Sequence, residues 1–211
     1  MKVQDREHFF ATLAEKCPEP ETELEHTNPY TLLVAVVLSA QATDVGVNKA
    51  TKALFESVDT PQKMLDLGEE HLRDYIKTIG LYKTKAANVI KLSQRLISNF
   101  NSQVPESRED LESLAGVGRK TANVVMNVAF GHPTIAVDTH IFRVSNRTGL
   151  APGKNPLQVE LKLEKSVPKT YLQHAHHWLI LHGRYICKAR KPLCEICPVS
   201  EYCDYFKKAA G

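Results

Sequence analysis

"LAGVGRKTANVV", Leu114 to Val125, places two glycines one residue apart before an arginine, a lysine and an apolar run. Glycine reaches backbone conformations that other residues adopt only at a cost, so this spacing marks a turn or a close approach by another group. The apolar pattern after it reads as a helix, which Gly131 and Pro133 bring to an end. A helix that opens directly after such a turn offers free N–H groups and the positive end of its dipole to an anion. Lys120 falls in that first turn, and a lysine nucleophile must lose its ammonium proton. Alone, the stretch better describes a solvated lysine on an ordinary helix, because a single Gly-x-Gly is a weak signal.

The surrounding chain is helical by its start and stop signals. Asn28-Pro29, Thr60-Pro61 and Asn155-Pro156 each set a capping side chain before a proline suited to a first helical position. Ser107 followed by Asp110 resembles a capping pair ahead of Leu111. Ala86, Val89, Ile90, Leu92, Leu96 and Ile97 recur at helical spacing. "LLVAVVL" has the composition of a buried strand, but its capped start favours a helix. Few segments alternate with period two, so the expected class is all-α. "GLYKTKAANVI" (80–90) resembles "GVGRKTANVV" (116–125) with one residue inserted, as two helix–turn–helix units would.

Charge narrows the partners. The net charge of +3 is too small to identify a polyanion ligand, but its distribution is uneven. Residues 1–26 hold seven acids against three bases, whereas His182 to Pro192 holds Arg184, Lys188, Arg190 and Lys191 with no acid. The N-terminus has no apolar signal region and its acids argue against a transit peptide. The longest apolar stretch, "TLLVAVVLSA", is too short to span a bilayer. An intracellular protein is expected, with no membrane association.

Cys187, Cys194, Cys197 and Cys203 form a C-x6-C-x2-C-x5-C pattern, while Cys17 stands apart. Four thiols in so short a segment of an intracellular chain point to a metal rather than to disulfides. The spacing admits zinc or an iron–sulfur cluster. His174, His176 and His177, beside Trp178, read as packing or surface residues. Asp138 lies between an apolar stretch and a new helical pattern in "PTIAVDTHIFRVSNR", where it is suited to cap a helix or to act on a reacting sugar.

Together "LSAQATD" (38–44), "TIGLYKTKA" (78–86), "LAGVGRKTANVV" (114–125), "TIAVDTHIFRVSNR" (134–147) and the cysteine pattern resemble the endonuclease III family of DNA repair glycosylases. The resemblance covers nearly the whole chain. It implies an all-α, two-domain helix–hairpin–helix glycosylase fold. A six-helix barrel domain would span 22–132, with its hairpin near 108–127. Residues 1–21 and 133–211 would form an iron–sulfur domain, and DNA would lie across the cleft between the two. It also implies a [4Fe–4S] cluster on Cys187, Cys194, Cys197 and Cys203, which favours the cluster over zinc.

By the same resemblance, Lys120 is the nucleophile and Asp138 the catalytic aspartate. Gln41 would fill the space left by a flipped nucleotide and Leu81 would wedge against the widowed base. Gly116 and Gly118 would hold a phosphate through backbone amides. Ser39, Asp44, Glu112 and His140 match as site-lining residues, and Lys188, Arg190 and Lys191 would face DNA phosphates. Ala115 departs from the proline common at that place in the hairpin. The implied activity is removal of oxidised pyrimidines from duplex DNA, with strand cleavage 3′ to the abasic site by β-elimination. A monomer in the bacterial cytoplasm, at the nucleoid, is expected. An adenine mismatch glycosylase is disfavoured by Lys120 and by a chain ending eight residues after Cys203. A thymine mismatch glycosylase and a non-catalytic DNA-binding module are the remaining alternatives.

Overall fold

The computed structural model describes residues 1–210, and among them there is no β-strand. The chain divides into two compact units, Thr22–Gly131 and the pair of segments Met1–Glu21 with His132–Gly211.

The first unit is built on α2 (Pro29–Leu38), whose Leu32, Leu33, Val34, Ala35 and Leu38 are wholly buried. A helix apolar on every side belongs at the centre of a bundle, and α2 packs against α3 (Asp44–Phe55), α6 (Tyr82–Phe100) and α8 (Arg119–Phe130). Its start is fixed by a reciprocal capping box: Asn28 accepts the N–H of Thr31, and the Thr31 hydroxyl oxygen accepts the N–H of Asn28. The remaining helices of this unit are α4 (Pro61–Leu67), α5 (Glu69–Ile76) and the single-turn α7 (Arg108–Glu112).

The second unit joins α1 (Val3–Lys16) to α9 (Thr139–Thr148), α10 (Pro156–Ser166), α11 (Leu172–Tyr185) and α12 (Asp204–Ala210). Phe9, Phe10 and Leu13 of α1 enter a core with Ile141, Val144, Leu163 and Leu179. Each such side chain contributes ~1.5–3 kcal/mol on burial, so the first helix is bound to the rest of its unit by packing. The Trp178 indole N–H donates to the Cys17 carbonyl at 2.7 Å, and the terminal ammonium donates to the Gly149 carbonyl at 3.1 Å. α9 and α11 meet closely at Gly183, where an added Cβ would lie 2.9 Å from the Cβ of His140.

Candidate nucleic-acid interface and metal centre

The hairpin between α7 and α8 takes its shape from four side chains. Ser107 caps α7 by accepting the N–H of Asp110 at 3.1 Å. Gly116 has φ +79°, and a Cβ there would stand 2.9 Å from Nδ2 of Asn88 on α6. Both the backbone and the space therefore require glycine. Gly118, by contrast, has an ordinary extended backbone and open space where a Cβ would be. It is the N-cap of α8 and supplies no side-chain cap, and a helix start of this kind suits an approaching anion. The Arg108 Nε donates to Oδ1 of the buried Asn123 at 2.9 Å, tying the start of α7 to α8 one turn beyond Lys120. Lys120 itself is exposed, and Glu112 is exposed at the end of α7.

Two further segments of the same unit carry candidate residues. In the α2–α3 connection, the Ser39 hydroxyl donates to the Val36 carbonyl at 2.8 Å, Gln41 is exposed, and Asp44 opens α3 behind its Thr43 cap. Leu81 is 61% exposed and precedes α6. Among the described residues, non-glycine positive φ occurs at Gln41 (55°), Leu81 (61°), Asn101, Ser102 and Lys191 (51°). Three of these five are residues singled out for DNA contact. A left-handed backbone costs an ordinary side chain ~1–2 kcal/mol, and such strain collects at functional sites.

In the other unit, Asp138 is the N-cap of α9. Its Oδ1 accepts the N–H groups of His140 and Ile141 at 2.9 and 2.8 Å, and its Oδ2 lies 2.9 Å from His140 Nδ1. Both carboxylate oxygens are thus held, and the side chain keeps 17% exposure, so one oriented carboxylate edge still meets solvent.

The four clustered cysteines converge. Burial pushes the Cys197 thiol up to about 11, with Cys203, Cys187 and Cys194 adding to the shift; burial likewise raises Cys203. Such thiols become ligands only where bound metal offsets the cost of a buried thiolate. Among the described residues no three metal-ligating side chains stand close enough to hold a single ion. Cys187, Cys194, Cys197 and Cys203 line one cavity, and this all-thiolate donor set would hold an iron–sulfur cluster. His182, held neutral by burial with a pKa lowered to about 4, places Nε2 3.8 Å from Cys197 Sγ.

Two arginines not singled out from the sequence hold this loop to α9. Arg143 donates through Nε to the Cys187 carbonyl at 2.9 Å and through Nη2 to the Gly183 carbonyl at 2.6 Å. Arg147 donates to the carbonyls of Lys188 and Ala189 at 2.7 and 2.9 Å. Their spacing of four residues on an amphipathic helix was the available signal. Lys188, Arg190 and Lys191 are exposed. No helix among the described residues is long and apolar enough to cross a membrane.

Comparison with known proteins agrees with this arrangement. Residues 34–169 match the family described as HhH-GPD superfamily base excision DNA repair protein, and residues 187–203 match the iron–sulfur binding domain of endonuclease III. The chain is 57% identical over 208 residues to endonuclease III of Escherichia coli K12, covering 99% of each chain. It is 58% identical over 206 residues to that of Rickettsia conorii, covering 98% of each. A trapped endonuclease III–DNA covalent intermediate superposes with a TM-score of 0.92 at 46% identity, covering 100% of both chains. A thermostable thymine-DNA glycosylase gives 0.84 at 27% identity, covering 97% of this chain and 98% of its own.

Proposed function

Because this chain belongs to the endonuclease III family of HhH-GPD base excision repair proteins, we propose that it removes oxidised pyrimidines from duplex DNA and then cleaves the strand. The observation that carries the reading is the exposed Lys120 in the first turn of α8, behind an N-cap, Gly118, that has open space where a Cβ would stand. A stacked nucleotide hides C1′, so the damaged nucleotide first rotates out of the duplex. Damage weakens pairing and stacking, which lowers the cost of rotation and contributes to selectivity. The neutral amine of Lys120 attacks C1′, the glycosidic bond breaks and the base departs. The C1′–O4′ bond then breaks as C1′ and the Lys120 nitrogen become an imine, the amine's protons passing to O4′ and to the departing base, and the imine acidifies the C2′ protons. Loss of one of them breaks the C3′–O bond and releases the 3′ strand.

Asp138 is assigned the stabilisation of cationic character on the sugar, a role suited to a carboxylate already oriented by three hydrogen bonds. Gln41 and Leu81 occupy the space opened by rotation. Ser39, Asp44, Glu112 and His140 line the site, and Lys188, Arg190 and Lys191 meet phosphates. Cys187, Cys194, Cys197 and Cys203 hold the [4Fe–4S] cluster, which orders their loop. The protein acts as a monomer on chromosomal DNA in the bacterial cytoplasm.

The test is a duplex carrying one oxidised pyrimidine, beside an intact duplex and a duplex with a thymine mismatch. The expected product is a nick only at the oxidised base, lost in Lys120→Gln. Nicking of the mismatch alone would assign the chain to the thymine mismatch class. Binding with neither base release nor a nick would make it a non-catalytic module.

A further inference from the structure

The segment from Ile186 to Leu193 is a closed loop: the N–H groups of Lys188 and Leu193 both donate to the Ile186 carbonyl, at 2.9 and 3.0 Å. Within it Lys191 keeps a left-handed backbone, φ 51°, which needs support from outside the loop. Arg143 holds the Cys187 carbonyl at the start of this loop, and a second guanidinium holds the two residues that follow. Arg147 Nη1 donates to the Lys188 carbonyl at 2.7 Å and lies 3.6 Å from Cys187 Sγ, while Nη2 donates to the Ala189 carbonyl at 2.9 Å. Its planar group rests over the Tyr205 ring, 5.1 Å from the centroid. A single half-buried side chain of α9 thus grips two successive carbonyls beside the first cysteine of the cluster and is itself stacked against α12.

We infer that Arg147 is a positioning residue for DNA binding, which fixes the backbone from which Lys188, Arg190 and Lys191 present their charges. The inference rests on the proposed contact of that loop with phosphates. The guanidinium spends its donors inside the protein, so its contribution to DNA affinity passes through the other three cations. A lysine at this place would keep the charge, but an ammonium cannot reproduce a flat fork that bonds two carbonyls and stacks on a ring. Without the fork the loop must be ordered by the DNA itself, and that ordering is subtracted from the affinity.

The experiment is a binding cycle on a duplex with a stable abasic-site analogue, using protein with the parent chain's iron content. Arg147→Lys should weaken binding about tenfold in the parent chain, and less than about twofold in a chain that also carries Lys188→Ala, Arg190→Ala and Lys191→Ala. Should Arg147→Lys lose iron, Tyr205→Leu is measured in the same two backgrounds, since it removes the stacked ring and has the same expected pattern. Parent-like affinity of the Arg147 variant overturns the inference, as does an equal loss in both backgrounds. A triple alanine variant that binds like the parent removes instead the reading that the loop meets DNA.

Discussion

Asp138 and His140 are joined twice: the His140 N–H donates to Oδ1 at 2.9 Å, and its Nδ1 stands 2.9 Å from Oδ2. The carboxylate therefore serves as a helix cap and as an oriented charge at once, and the two roles can be separated. Asparagine still accepts the N–H groups of His140 and Ile141 but carries no charge. Asp138→Asn should keep its unfolding free energy within about 1 kcal/mol of the parent chain. Its single-turnover base removal should fall about 10²-fold or more. Asp138→Ala should additionally lose ~1 kcal/mol of stability with the cap. Parent-like excision by the asparagine variant would reduce Asp138 to its structural role.

Leu81 combines a left-handed backbone with an exposed apolar side chain. Glycine relieves the first and removes the second, so Leu81→Gly should be more stable than Leu81→Ala by about 1 kcal/mol. Both should impair excision of a well-stacked lesion more than cleavage at an existing abasic site, where flipping costs least. Thermal melts and paired kinetics on the two substrates decide this. Equal kinetic losses on both would remove Leu81 from the flipping step.

The two hairpin glycines should answer differently to a methyl group. Gly116→Ala meets both a positive φ and Asn88, so a destabilisation of ~1–3 kcal/mol is expected. Gly118→Ala meets neither, and its stability should change by less than about 1 kcal/mol. Its methyl group narrows the approach to the first N–H groups of α8, so DNA affinity should drop although the fold is intact. Denaturant unfolding beside equilibrium binding separates the cases. A Gly118→Ala chain that binds as tightly as the parent would place the phosphate elsewhere.

His177 is buried with neither ring nitrogen hydrogen-bonded, and burial, with His174 adding to it, lowers its pKa to about 4. The unfolded chain takes up this proton near 6.5. Between these values the unfolded state binds more protons, so stability is full above about 6.5 and falls as the pH drops toward 4. The loss amounts to up to ~3 kcal/mol. His177→Phe should flatten the unfolding profile between pH 5 and 7, as measured by thermal melts (both values on the order set by the two protonation states). An unaltered profile would assign acid sensitivity to other groups.

Local chemistry was the legible part of this fold. Asn28, Thr60, Ser107 and Asn155 cap the helices they were expected to start, and Gly131 ends α8 with φ 70°. "LLVAVVL" is helical because its cap and its burial on every side outweigh its β-branched composition. The left-handed backbone in the turn before α6 was not legible, for it is held by Leu81 and not by a glycine. A side chain kept in a costly conformation by its surroundings leaves no trace in local propensity. The spacing of Arg143 and Arg147 places them on one helix face, but their partners in the cluster loop were not legible, nor was that of Arg108 in Asn123, because each bond joins positions apart in the chain. Burial of His177 was foreseen only as one of two options, packing or surface.

The most direct test of the account is borohydride reduction during turnover on a duplex with an abasic site. Reduction of the imine should link the parent chain covalently to DNA, seen as a protein band of raised mass. Lys120→Gln should give no such band while binding the same duplex with little loss, because the backbone N–H groups at the start of α8 remain. Substitution of Lys83, Lys85 or Arg119 should leave the link in place. A covalent band from Lys120→Gln at the parent rate would contradict the account and give the nucleophile to another amine.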